Sequence, residues 1–156
     1  MFHLTHKLPV IIVRPGNAYG VGQLPYLGQG FVSTAIASLV DNRTISIFGK
    51  EGTIRDYVYV EDVAEGIIAA LEHGEAGQCY NIGTGKGTSN LEIIEAIKQK
   101  LGLPGNSPRV IIKSSRSFDV QGNVLNCGKL AKVSGWKPLV GLEEGLEKTI
   151  AWIKEL

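Results

Sequence analysis

The sequence predicts an α/β fold with short strands, and three observations carry that prediction. Apolar, β-branched runs alternate with segments whose apolar residues recur at helical spacing. Glycine-rich stretches separate the two, as they do at strand-to-helix turns. With 156 residues, 44% of them hydrophobic and 20% charged, the chain holds enough apolar material for one cored domain.

Taken in order, Val10, Ile11, Ile12 and Val13 form a continuous apolar run, the pattern of a strand buried on both faces of a parallel sheet. Arg14-Pro15-Gly16-Asn17 stops it, and a loop rich in glycine follows. The spacing of Val32, Ala35, Ile36, Leu39 and Val40 predicts a helix over 31–40. A strand over 45–48 turns at Gly49 to Gly52 and returns over 55–60, giving a hairpin. From Glu61 the period is helical, with Val63, Ala64, Ile67, Ile68 and Leu71 as one stripe and Gly74 and Gly77 at its end. A strand over 79–82 runs into Gly83-Thr84-Gly85-Lys86-Gly87. Ser89 and Glu92 have capping-box spacing and open a helix with Leu91, Ile94, Ile97 and Leu101 inward. A strand over 110–112 and a short helix over 128–133 follow. In the last helix Leu142, Leu146, Ile150 and Ile153 face inward.

Charge and composition exclude several functions. The net charge of +1, without a run of like charges, gives no basis for binding nucleic acid or an anionic membrane. The apolar runs are too short to span a bilayer, and the first seven residues lack the core of a signal peptide. Two cysteines, Cys79 and Cys127, form neither a disulfide framework nor a metal spacing, which fits a cytoplasmic protein.

Single motifs leave their readings open. The loop over 83–87 sits where a phosphate loop would, but fits neither the P-loop nor the dinucleotide pattern; a plain turn and a ligand contact both remain. Arg14, Arg55 and Arg116 offer planar forks suited to phosphate, or serve as surface residues; Arg55 beside Asp56 reads as an ion pair. Glu61 and Asp62 are explained by the dipole at a helix start. His3, His6 and His73 make no triad or metal set, and Trp136 and Trp152 read as packing anchors.

Five blocks occur in a fixed order: Arg14 to Gly20, Ile47-Phe48-Gly49, Arg55 to Ala64, Tyr80 to Gly85, and Gly135-Trp136-Lys137-Pro138. Together they resemble the C-terminal half of the NAD-dependent epimerase/dehydratase family, most closely its bacterial UDP-glucose 4-epimerase group, over nearly the whole chain. The resemblance implies the last strands of a parallel, extended Rossmann-type cofactor sheet plus the small substrate-binding α/β part. Residues 8–16 and 61–84 would be sheet remnants, and 17–60 and 85–156 the nucleotide-sugar part.

It also implies roles. The backbone of Pro15 would lie near the nicotinamide, and Asn17 would contact the substrate diphosphate. Gln29, Gly30 and Phe31 would open a helix beside the nucleotide, while Ser46 and Phe48 would line the uracil pocket. Arg55 would grip the diphosphate with Tyr57 nearby, and Lys86 would border the nucleotide. Arg116 and Asp119 would bind phosphate and ribose. Ser117-Phe118 departs from the family's Pro-Gly between those two, and Asn126 remains as a cap where Asp-x-Ser-Lys is common.

Two family elements have no counterpart in this sequence: the glycine-rich first βα turn that holds NAD, and the Tyr-x-x-x-Lys pair that deprotonates the sugar hydroxyl. The expectation is therefore a nucleotide-sugar-binding half. It needs a separate N-terminal half, or associates with itself through an exposed sheet edge, and binds no NAD alone. A full-length relative would use NAD to invert C4 of a UDP-hexose, or for dehydratase or reductase chemistry. The other class of reading is a non-catalytic fragment that binds UDP-sugar or only packs.

Overall fold

The computed structural model describes residues 2–106, 109–116 and 119–156. Short helix α1 (Phe2–His6) precedes strands β1 (Ile12–Pro15) and β2 (Asn17–Tyr19), then helix α2 (Phe31–Val40). Strands β3 (Ile45–Phe48), β4 (Ile54–Arg55) and β5 (Tyr57–Tyr59) lead into α3 (Val60–His73) and β6 (Cys79–Ile82). Next come β7 (Thr88–Ser89), α4 (Asn90–Leu101), β8 (Val110–Lys113), β9 (Gly122–Asn123), α5 (Gly128–Ser134) and α6 (Leu142–Ile153). The α/β class holds.

Strand pairing is mostly parallel. β1 pairs with β6, β2 with β5, and β3 with β8, while β4 lies between antiparallel β7 and parallel β9. The expected hairpin is overturned: Ile45 pairs with Val110, not with the 55–60 segment, which divides into β4, β5 and the first residue of α3. The connection explains why. Asn90 Oδ1 accepts hydrogen bonds from the Thr53 amide and hydroxyl at 2.7 and 2.9 Å, tying the 49–53 turn to α4.

Two cores form. One joins α2, α4 and α6 around Ile36, Leu39, Ile94, Ile97, Leu146 and Ile150, with β2, β3 and β5 contributing Tyr19, Ile45, Ile47, Tyr57 and Tyr59. The other holds Val58, Val63, Ala70, Tyr80, Ile82, Leu130 and Trp136. Trp136 and half-buried Trp152 do pack as anchors, one against each core.

Three burial expectations are corrected. The strand expected at 10–13 starts at Ile12 and is not buried on both faces; Ile12 is 48% exposed. On α3 the buried residues are Asp62, Val63, Gly66 and Ala70, while Ala64, Ile67, Ile68 and Leu71 face out. Gly66 sets this choice: a Cβ there would stand 2.8 Å from Ile82 Cγ2, so the helix docks its glycine side on β6. On α4 the buried face is Ile93, Ile94, Ile97 and Lys98, with Leu91 and Leu101 half-buried at its margin.

Helix starts follow the sequence more closely. The capping box is present: the Glu92 amide donates to Ser89 Oγ at 3.2 Å and the Ser89 amide to Glu92 Oε2 at 2.7 Å. The bond from the Ser89 backbone amide, with a smaller contribution from the Ser89 hydroxyl, holds the Glu92 carboxyl below the usual glutamate range. A depressed folded-state value adds stability at neutral pH that disappears as pH falls through it. Glu92→Gln should therefore cost about 0.5 kcal/mol at neutral pH, after allowing for solvent screening, and nothing at strongly acidic pH, where the carboxyl is protonated folded and unfolded alike. Ser89→Ala should cost about 1 kcal/mol. Urea melts at the two pH values check both. At α5, Asn126 Oδ1 accepts from the Gly128 amide at 2.9 Å, so Asn126 does serve the helix start.

Candidate functional site

Parallel pairing of β2 with β5 sets Asn17 beside Tyr57. Around them opens a cleft of about 460 Å³, lined by Gly16, Asn17, Gln29, Gly30, Phe31 and Tyr57 among others. Gly30 precedes α2 at φ 85°, where a Cβ would meet the Gln23 carboxamide at 2.5 Å. No side chain caps α2, so its first-turn amides border the cleft without a side-chain acceptor. Burial pushes the Tyr57 phenol up to about 12, against the lowering effects of Arg55 and of the bond from Asn90 Nδ2 at 3.2 Å. It stays neutral at physiological pH.

A second cluster lies on β3 and the segment after β8. Alternation along β3 buries Ile45 and Ile47 and leaves Ser46 exposed and Phe48 half-buried on the other face. The Arg116 guanidinium carbon stands 4.0 Å over the Phe48 ring centroid, and Lys113 Nζ lies 5.7 Å from it. Arg116 Nε donates to Asp119 Oδ2 at 2.8 Å. One flat ring, two cations and a carboxylate are thus gathered within a few residues.

Other residues singled out in the sequence are placed apart. Arg55 Nη1 donates to the Ile54 and Val120 carbonyls, both at 2.8 Å, and no carboxylate pairs with Arg55 among the described residues. Lys86 lines a smaller cleft of about 250 Å³, with Tyr57, Thr84 and Leu139, outside the cleft that holds Asn17. Pro15 ends β1 opposite Ile82 and lines neither cleft. Ser117 and Phe118 lie outside the described residues.

The family model for the NAD dependent epimerase/dehydratase family matches residues 2–83, more than half of the chain. The chain belongs to this family. A UDP-glucose 4-epimerase from Mycolicibacterium smegmatis is 33% identical over 154 residues, covering 99% of this chain and 48% of that protein. A dTDP-glucose 4,6-dehydratase from Actinoplanes sp. is 30% identical over 153 residues, covering 98% and 46%. The crystal structure of UDP-glucose 4-epimerase with UDP-glucose from Thermotoga maritima shares 32% identity at a TM-score of 0.90, over 99% of this chain and 48% of that one. The chain spans about half the length of these relatives.

Family membership raises NAD, and the glycine-rich loop over 83–87 is the segment of this sequence that sits where a phosphate loop would. It does not fit a pyrophosphate. The Thr84 and Gly85 amides already donate to the Asp56 carboxylate, at 2.8 and 3.0 Å. Asp56 is thus corrected from a surface partner of Arg55 to a residue 1% exposed, bonded to backbone amides and the Thr84 hydroxyl. Asp62 is corrected likewise: more than a dipole residue, it is buried and accepts from the Leu139 and Val140 amides at 2.9 and 3.0 Å. Sequence reasoning missed both, and also Asn90. The only signal was acidic residues placed inside apolar stretches.

Proposed function

We propose that this chain is the nucleotide-sugar-binding half of an NAD-dependent UDP-hexose 4-epimerase, without turnover or NAD binding of its own. The observation that carries the reading is the Arg116 guanidinium stacked on Phe48 and bonded to Asp119. A half-buried ring flanked by fixed cations suits a base followed by a diphosphate, and a carboxylate suits ribose hydroxyls. Arg55 and Asn17 would add donors to the diphosphate, and the α2 amides beside Gln29, Gly30 and Phe31 would add more. Ser46 would sit along the base, Tyr57 would stay a neutral hydrogen-bonding wall, and Lys86 would contribute charge at the border.

The residues 8–16 and 61–84 would be the part continuous with a cofactor sheet. The outward Ile67, Ile68 and Leu71, with the free edge of β1, support a missing half or a second copy as the covering partner. No helix is long and apolar enough to cross a membrane among the described residues. The Thr84 and Gly85 amides are taken up by Asp56 and the sequence holds no Tyr-x-x-x-Lys pair, so hydride and proton transfer would fall to the missing half.

Saturation-transfer NMR with UDP-glucose tests the division of labour. Uracil and ribose protons should receive more saturation than hexose protons, and UDP-galactose should not form on adding NAD. Preferential saturation of the hexose, or measurable epimerisation by this chain alone, would contradict the reading. Stronger binding of dTDP-glucose than UDP-glucose would favour the dehydratase relatives instead.

A further inference from the structure

We propose that Asp56 is the positioning residue of the nucleotide site: one buried carboxylate that sets three loops in register around the strands carrying Arg55 and Tyr57. The inference rests on the nucleotide reading above for what the site binds, and on the structure for how Asp56 acts. Its Oδ1 accepts from the Thr84 amide at 2.8 Å and the Thr84 hydroxyl at 2.6 Å. Its Oδ2 accepts from the Gly85 amide at 3.0 Å and the Leu125 amide at 3.2 Å. Its carbonyl accepts from the Asn17 amide at 2.7 Å, and its own amide donates to the Asn123 carbonyl at 3.1 Å. The loop at 16–17, the loop at 83–87 and the segment at 122–125 therefore meet on one residue.

Two glycines mark how closely they meet. A Cβ on Gly16 would stand 2.6 Å from the Asp56 carbonyl oxygen, and one on Gly83 would stand 2.6 Å from Asp56 Oδ2. Neither glycine has a positive φ, so close approach to Asp56 is what excludes a side chain there. The donor set also requires a carboxylate. Three N–H groups and one hydroxyl converge on two acceptor oxygens, whereas an amide offers one oxygen and turns an NH₂ toward donors. Asp56 touches no ligand in this scheme. It acts through Asn17, Arg55, Tyr57 and Lys86, each on or next to a segment it holds.

Asp56→Asn should weaken UDP about tenfold in calorimetric titration, the scale of losing bonds to a charged acceptor. Amide resonances of Thr84, Gly85 and Leu125 should move upfield in the folded variant. Ile153→Ala, destabilised through a helix far from these loops in sequence, should keep UDP affinity within about twofold and so separates positioning from general loss of stability. If Asp56→Asn does not fold, Thr84→Val removes the 2.6 Å bond to Asp56, together with the 3.2 Å bond that the same hydroxyl accepts from the Lys86 amide, and should weaken UDP about threefold. Arg116→Ala is run in parallel. If it leaves UDP affinity unchanged, the nucleotide reading fails. If it weakens UDP while folded Asp56→Asn, or Thr84→Val in its place, matches the parent chain, the role of Asp56 is overturned.

Discussion

Alanine in place of Arg116 is expected to raise the dissociation constant for UDP at least ~10-fold, about 1.4 kcal/mol. Arg116 contacts both the face of Phe48 at 4.0 Å and Asp119 at 2.8 Å. The ion pair is solvent-accessible and contributes little to folding, so the chain should melt within a degree or two of the parent, a shift of about 0.5 kcal/mol at most. A phosphate at the site would gain a charge-assisted fork, which is stronger than a neutral hydrogen bond. Lysine at 116 should recover only part of the loss, because it keeps the charge and loses the planar stack and fork. Arg55→Ala should act in the same direction, and raising salt should weaken the parent more than either variant. Isothermal titration with UDP measures all of these; superimposable curves for parent and variant would remove Arg116 from the site.

The chain alone should also associate at high micromolar concentration. Ile12, Ile67, Ile68 and Leu71 are 48%, 44%, 47% and 74% exposed, on a strand and a helix that contact each other. Among the described residues β1 pairs with β6 alone, so its other edge offers backbone groups that no described strand pairs, a ready template for another strand. Large exposed apolar side chains on elements that pack together beside an open strand mark an interaction surface. Gel filtration with light scattering should give a mass above the 16.8 kDa of one chain, and Ile68→Lys with Leu71→Lys should lower it toward that value. A parent chain that stays monomeric across the concentration series would contradict this expectation.

What could be read in the sequence was the local part of the fold. The Ser89 to Glu92 cap depends on four consecutive residues, and the helices over 31–40 and 142–153 declare themselves by spacing, so these are in place. Pairing was less legible. Ile45 pairs with Val110, far along the chain, and nothing in either strand names its partner; a nearby strand with a glycine turn between them looked like the answer. The α3 stripe misled for a related reason. Periodicity shows that a helix has an apolar face, but Gly66 packing on Ile82 determines which face turns inward. Among the candidate site residues, Phe48 was singled out only through the family resemblance, and Arg116 through that resemblance and the phosphate-suited chemistry of its side chain. Asp56 was missed because a buried carboxylate held by backbone amides leaves no charge pattern.

Titrating the isolated, folded chain with UDP and with uridine tests the central claim most directly. The expected result is one UDP per chain, with uridine bound about tenfold more weakly for want of the diphosphate. Equal affinity for the two, or no binding of UDP, would mean that Phe48, Arg55 and Arg116 do not make a nucleotide diphosphate site.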